Sequence, residues 1–497
     1  MSQADWPTGK QPKVTEPVAE PVAAVAPTED RPKARRSALD TDPGGASLTE
    51  ASTPKPSRRA EIRTEPREPR KGVGDHDWIL RAGEAVLAII VLIATVLLVG
   101  RGTAAKPTPP PRLNVTANLF CQSVAGVAGQ IIAAADSDLK WQPDGGTAVP
   151  GSAYFEHDLT SQSTLQGTGS VAGLVQFGSG GQIAAADCAT PAASGYLQAG
   201  YANATLMMEN VDSQDAILNV SMLGASGEVD PSDLVDLKVP AGTVKQINIG
   251  DYASGISPVA VHWQSTVGRV LAWVESSSSS GFDIVTPTTA ATQVVVPGIP
   301  GGATVNVLIT NPATVRVQAN VDALTSQGRV PLAGANPVTI EAGSTASVDV
   351  TSALSTDPTA LLVTSDQPVA ASALVSHASD TATSSGVLPN QSGGVDGFGV
   401  APANSQLLIS NPSSNDSQAT VTTGSPSAAQ TLPVPAGATV AVTVPQAGAV
   451  RVSGAGLVSA LVIRGGTDDS SGMSVVALAP DTARAGLTPA WIEAQPH

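Results

Sequence analysis

The chain has 497 residues, a net charge of −16, only 14% charged and 3% aromatic residues, and 48 Gly with 39 Pro. That length allows about three or four domains, and a turn-rich chain of Val, Ala, Ser and Thr excludes a body of long surface helices. The acidity lies beyond residue 100, where 12 Lys/Arg face 28 Asp/Glu, which argues against nucleic acid as a partner because phosphates demand a basic face.

Residues 1–77 are rich in Pro, Ala, Thr, Glu and Arg and carry no sustained apolar period. They are expected to form a disordered tail. Residues 78–100 then run from Trp78 to Gly100 with no charge after Glu84, about the length a bilayer requires. Arg81 and Glu84 are three apart and can pair on one helix face, and Trp78 stands where an interfacial aromatic belongs. Arg58, Arg59, Arg63, Arg67, Arg70 and Lys71 precede the segment; Arg101, Lys106 and Arg112 follow it. The positive-inside bias therefore places the N-terminus in the cytoplasm and the rest outside the cell membrane, with a single span. Residues 101–112, with Lys106-Pro-Thr-Pro-Pro-Pro111, read as a stiff spacer.

The remainder repeats. Leu206-Met-Met-Glu-Asn210, Val307-Leu-Ile-Thr-Asn311-Pro and Leu407-Leu-Ile-Ser-Asn411-Pro recur about every hundred residues. Each leads to a turn, Val239-Pro-Ala-Gly242, Ile340-Glu-Ala-Gly343 or Val434-Pro-Ala-Gly437, and then to an apolar strand, Val270–Val274, Ala371–Val375 or Val458–Val462. Such periodicity means one module built several times. The expected fold class is all-β, as tandem immunoglobulin-like antiparallel β-sandwich repeats over 201–300, 301–400 and 401–497. A divergent β module at 113–200 precedes them, because Val171-Ala-Gly-Leu-Val175 aligns with Val270–Val274 at an offset of 99. Alternation in Val315–Val321 and Ala438–Val444 supplies half-buried strands. The Cys…Trp…Cys spacing of true immunoglobulin domains is absent, so the comparison is architectural.

Chemistry is sparse. Cys121 and Cys188 are the two cysteines, expected to form one disulfide in an oxidising compartment. The five histidines show no H-x-x-x-H pair and no neighbouring Cys, so no metal is expected. Ser137-Asp-Leu-Lys140 fits S-x-x-K, but the companion motifs of penicillin-interacting enzymes are missing. Carboxylates at Asp136/Asp138, Asp230/Asp233/Asp236 and Asp468/Asp469 read as surface acidity. Trp273 reads as core by alignment with Leu374 and Leu461; Trp263, Tyr252 and Tyr154 are candidates for an exposed contact. Asn210, Asn311 and Asn411 are expected to bond local backbone in turns. No catalytic residue and no cofactor is expected.

The repeated Asn phrases, the Pro/Glu-Ala-Gly turns and strand ends such as Gln367-Pro-Val-Ala370 resemble, over about residues 79–480, an uncharacterised family of cell-envelope proteins of high-GC Gram-positive bacteria. The resemblance implies a polar tail, one membrane span and tandem β modules outside; it supplies no reaction. The expected function is a non-enzymatic, membrane-anchored extracellular binding or scaffolding component of the envelope, built as a rod or compact stack, with an envelope protein or cell-wall polymer as partner. An envelope hydrolase using scattered carboxylates and a transmembrane signalling subunit are the alternatives.

Overall fold

The computed structural model describes residues 116–481, apart from 180, 201–203, 230–231, 279–280, 379, 390–395, 425–427 and 466–471. The expected tail, membrane span and spacer lie outside these residues. Among the described residues no helix is long and apolar enough to cross a membrane. The described chain is all-β: antiparallel strands in several sheets, interrupted by three single-turn 3₁₀ helices.

Strand pairing sorts the chain into four units. Each repeat opens with a strand placed before the boundaries at 201, 301 and 401: Ser194–Gln198 pairs with Val259–Val267, Ala291–Ile299 with Thr359–His377, and Gly397–Ala401 with Gly448–Ser453. The chain leaving each unit returns to bridge its opening strand, as Phe120 does with Ala189, Tyr196 with Thr288 and Val295 with Val387. In the first and last repeats the opening strand joins one sheet and the strand bearing the Asn phrase the other; in the middle repeat both pair with the long strand Thr359–His377, which runs through the two ladders. An immunoglobulin domain keeps its first strand beside its second, which is not the strand order of these units.

The repeated asparagines close the units from inside. Asn210, Asn311 and Asn411 are fully buried at strand ends. The Asn311 amide donates to Val315 O (2.8 Å), Ile340 O (3.2 Å) and Glu341 O (2.9 Å), and its Oδ1 accepts from Ala313 N (2.9 Å). Asn210 bonds Gln214 O, Val239 O and Asp212 N; Asn411 bonds Asn415 O, Val434 O and Ser413 N. The side chain thus stabilises its own turn, as expected, and also fastens the strand that precedes the Pro/Glu-Ala-Gly turn. The turn glycines Gly242, Gly343 and Gly437 have φ of 65°, 61° and 68°, a region L side chains disfavour.

The ladders correct one alignment. Val274, Ala373 and Leu461 stand opposite Leu206, Val307 and Leu407. Trp273 is therefore matched by Ser372 and Ala460, and not by Leu374 and Leu461. These five-residue stretches are buried on both faces, and a strand without alternation does not announce its register. Trp273 is still buried, but between units: it packs with Met207, Leu271 and Ile284 against the core of the first unit.

That contact is one of four, and together they close a circle. The first unit's Ile132, Leu174 and Ile183 share a core with Leu407 and Val450 of the last. Ala460, Met473 and Val475 of the last unit enter the core of the one before it. The second and third units meet through polar groups: Gln198 Nε2 donates to Leu308 O, Thr310 Oγ1 and Ala370 O, and Thr345 Oγ1 donates to Leu223 O. One strand from each unit lies innermost: Gln182–Asp187, Gly281–Val285, Asp380–Ser385 and Met473–Ala477, each packed on at least two of the others. A sandwich with a wet outer face on each sheet would show alternation throughout. Strands that pack between units, such as Val458–Arg464, are apolar on both faces because a neighbouring unit covers them, whereas Thr439–Val444 and Thr243–Asn248 keep an exposed face.

Candidate functional site

The inner strands are held side by side largely by side chains. At one end, Asp380 Oδ2 accepts from Ile183 N (3.0 Å) and Met473 N (3.1 Å), tying the first and last units together. Asp283 Oδ2 accepts from Thr383 N (2.7 Å). Both carboxyls are raised by burial, Asp283 to about 6, with the neighbouring Asp380 charge adding to the effect. Ser474 Oγ accepts from Ala185 N at 2.9 Å, and Gly472 N donates to Gly181 O at 2.9 Å.

At the other end the strands open into a cavity of about 1040 Å³ lined by all four units. One position from each inner strand, or the residue just after it, forms a tier on its wall: Asp187, Thr286, Ser385 and Ala477. Thr286 Oγ1 and Ser385 Oγ bond each other (3.1 Å), and Ser385 also donates to Thr286 O (2.7 Å). Ala477 has no polar side chain. Asp187 is the one ionisable member of the tier, and no hydrogen bond or ion pair engages its carboxyl among the described residues. It is half-buried, the open part facing the cavity, and removal from bulk water pushes its carboxyl up to about 8. The rest of the wall is mostly apolar, with Leu119, Val270, Val387, Leu457 and Val476 among its members.

Asp187 is rigidly presented. Its neighbour Cys188 is disulfide-bonded to Cys121, with Cα atoms 4.3 Å apart. Cys188 N donates to Gly173 O, and Ala189 exchanges two backbone bonds with Phe120. The disulfide therefore joins the unit's first strand to the end of its innermost one, beside the carboxyl.

Near the same wall, Arg451 from the last unit bridges to the first. Its Nη2 bonds Asp136 Oδ1 at 3.0 Å, its Nη1 pairs with Asp481, and its guanidinium lies 4.4 Å from the Phe398 ring centroid. Ser170 Oγ donates to Asp136 (2.9 Å) and Asp481 (2.8 Å). Asp136 thus serves an inter-unit ion pair and is not plain surface acidity. Asp138, Asp233 and Asp236 are exposed as expected; Asp230, Asp468 and Asp469 lie outside the described residues.

The aromatic expectations divide. Trp263 is fully buried and not an exposed contact, because it occupies an inward position of Val259–Val267 and covers the side-chain-free face of Gly195. Tyr252 and Tyr154 are half-buried, and the Tyr154 hydroxyl donates to Glu156. His262 stacks on Tyr196 (4.5 Å between centroids) on the same sheet. Ser137 and Lys140 lie exposed on Gly129–Pro143, with Ser137 Oγ donating to Thr168 O. No group of three or more His, Cys, Asp or Glu suited to a metal occurs among the described residues.

Sequence reasoning did not single out Asp187. Its signal was the 99-residue interval linking it to Thr286 and Ser385, which marks it as the charged member of a polar series. Among curated proteins none matches this sequence. Residues 146–445 match the family of unknown function DUF5719, over stretches of all four units. The chain belongs to that family.

Proposed function

We propose that this protein is a membrane-anchored, extracytoplasmic binding protein of the cell envelope, with its N-terminus in the cytoplasm, and that the axial cavity is its binding site. One observation carries the reading: a rigid wall presents the carboxyl of Asp187, at the end of an innermost strand, which no described residue engages. Buried polar groups with structural roles are ordinarily bonded, as Asp283 and Asp380 are. A mostly apolar cavity with few polar groups is the usual form of a ligand site. The disulfide accords with an oxidising compartment, and the uncharged stretch from Ala85 to Gly100 accords with an anchor. Immunoglobulin-like modules in this reading are a scaffold whose closure creates the site, and the partner is an envelope component.

Two labels in intact cells test this. A cysteine at exposed Val235 should react with a membrane-impermeant maleimide before lysis; reaction only after lysis would refute the location. A photo-reactive residue replacing Leu388, which lines the cavity and is exposed, should give a discrete adduct that the same residue at Val235 does not. Equal labelling from both positions, or none from Leu388, would count against the cavity.

A further inference from the structure

We propose that the axial cavity takes an organic cation, a molecule with an apolar body and one ammonium head that pairs with Asp187. This rests on the cavity being the binding site and adds the chemistry of its occupant.

The charge of the wall is the first support. The described lining residues include Asp187, Asp396 and Asp481 and no Lys, Arg or His. Asp481 is paired with Arg451, which is not itself in the lining. The ionisable side chains that the wall offers are thus acidic, and no cationic side chain stands among the described lining residues. An anionic occupant would find no cationic partner, whereas a cation would draw the Asp187 carboxyl into its charged form and pair with it in a place of low dielectric, where pairing is strong.

The second support is the contrast among the inner-strand acids. Asp380 and Asp283 lie farther from the cavity end of their strands, and each accepts at Oδ2 from backbone N–H groups of neighbouring units. They fasten strands. Asp187 sits on the same set of strands, fastens nothing, and faces the cavity. Partial burial of a carboxyl without a partner costs stability, and the matching positions Thr286, Ser385 and Ala477 carry no such charge. Burial without a counter-charge holds this carboxyl at about 8; an ammonium beside it would return it to the carboxylate range.

Size and multiplicity narrow the class. About 1040 Å³ suits a body of several rings or a folded chain. One carboxylate in the tier calls for one head group. The described residues hold no cluster of metal-ligating side chains, so the complementary cation is organic. The net charge of −16 enriches cations around the whole protein.

The test uses the full chain in lipid nanodiscs and three probes of one shape: adamantan-1-amine, adamantan-1-ol and adamantane-1-carboxylate. Isothermal titration is run against empty nanodiscs. The amine should bind at least about tenfold tighter than the alcohol, which is about 1.4 kcal/mol, with the carboxylate weakest. Asp187→Asn should bring the amine down to the level of the alcohol while leaving the alcohol within about twofold. Should that variant fail to fold, Asp187→Ser, which copies the residue at Ser385, serves instead. If the alcohol binds as well as the amine, or the amine's advantage survives in the variant, the cavity stands as a site and the cation assignment falls. If no probe binds, both readings fall.

Discussion

Replacing Asn311 with alanine should destabilise the whole β body, by an amount that its bonds set. Of the four backbone groups it serves, two have other support: Ser344 Oγ also donates to Glu341 O, and Ile340 lies in a ladder with Val317. Val315 O and Ala313 N lose their side-chain partner at a part-buried turn, where Val315 is exposed and Ala313 half-buried. Each such group costs about 1 kcal/mol, the low end of the range for an orphaned group because water can reach the turn, so the loss is about 2 kcal/mol. For roughly 350 cooperatively folded residues at about 2.1 cal/mol/K each, that lowers Tm by roughly 3 °C. Differential scanning calorimetry of the full chain reads this directly, with Asn415→Ala, an exposed side chain, as a control expected within about 0.5 kcal/mol. Asn311→Asp should be no better than alanine, since it sets a carboxylate against carbonyl oxygens. A drop of less than about 1 °C for Asn311→Ala would refute the claim that the repeated asparagine closes its unit.

Three further outcomes follow from the geometry. Converting Cys121 and Cys188 to serine removes a crosslink over 67 residues, worth about 4 kcal/mol by loop entropy; urea midpoints measure it, and an unchanged midpoint would contradict it. Arg451→Ala leaves Asp136 and Asp481 without their cation and should cost about 3–5 kcal/mol, read by chemical denaturation; a loss below about 1 kcal/mol would place the pair among exposed ones. For pH, Asp283 is held at about 6 and Asp187 at about 8, against an ordinary value of 3.8. The folded state then binds more protons than the unfolded state between about pH 4 and 8, so stability is full below that window and falls as pH rises through it. Urea midpoints should be lower at pH 8.5 than at pH 5, and a rise would refute the assignment.

What was legible in the sequence was local. Alternation and turn glycines specify strands, and the Asn phrase specifies a turn, because each acts within a few residues. Register was harder: Val270–Val274 and its counterparts are apolar throughout, so a shift of one or two residues leaves the pattern unchanged, and Trp273 was matched to the wrong partners. Trp263 was misjudged for a related reason, since the cover it gives Gly195 spans 68 positions. Closure of the four units was invisible because its bonds, Ala185 to Ser474 and Asp136 to Arg451, join the two ends of the β region. Asp187 stayed hidden with it, since the cavity exists only once the units have closed.

Small-angle scattering on the compact body, residues 104–497, tests the closed arrangement most directly. Four units closed on themselves predict a radius of gyration of roughly 21 Å for roughly 390 residues. A value of roughly 30 Å or more, with the long pair distances of modules in a row, would contradict closure and remove the cavity with it.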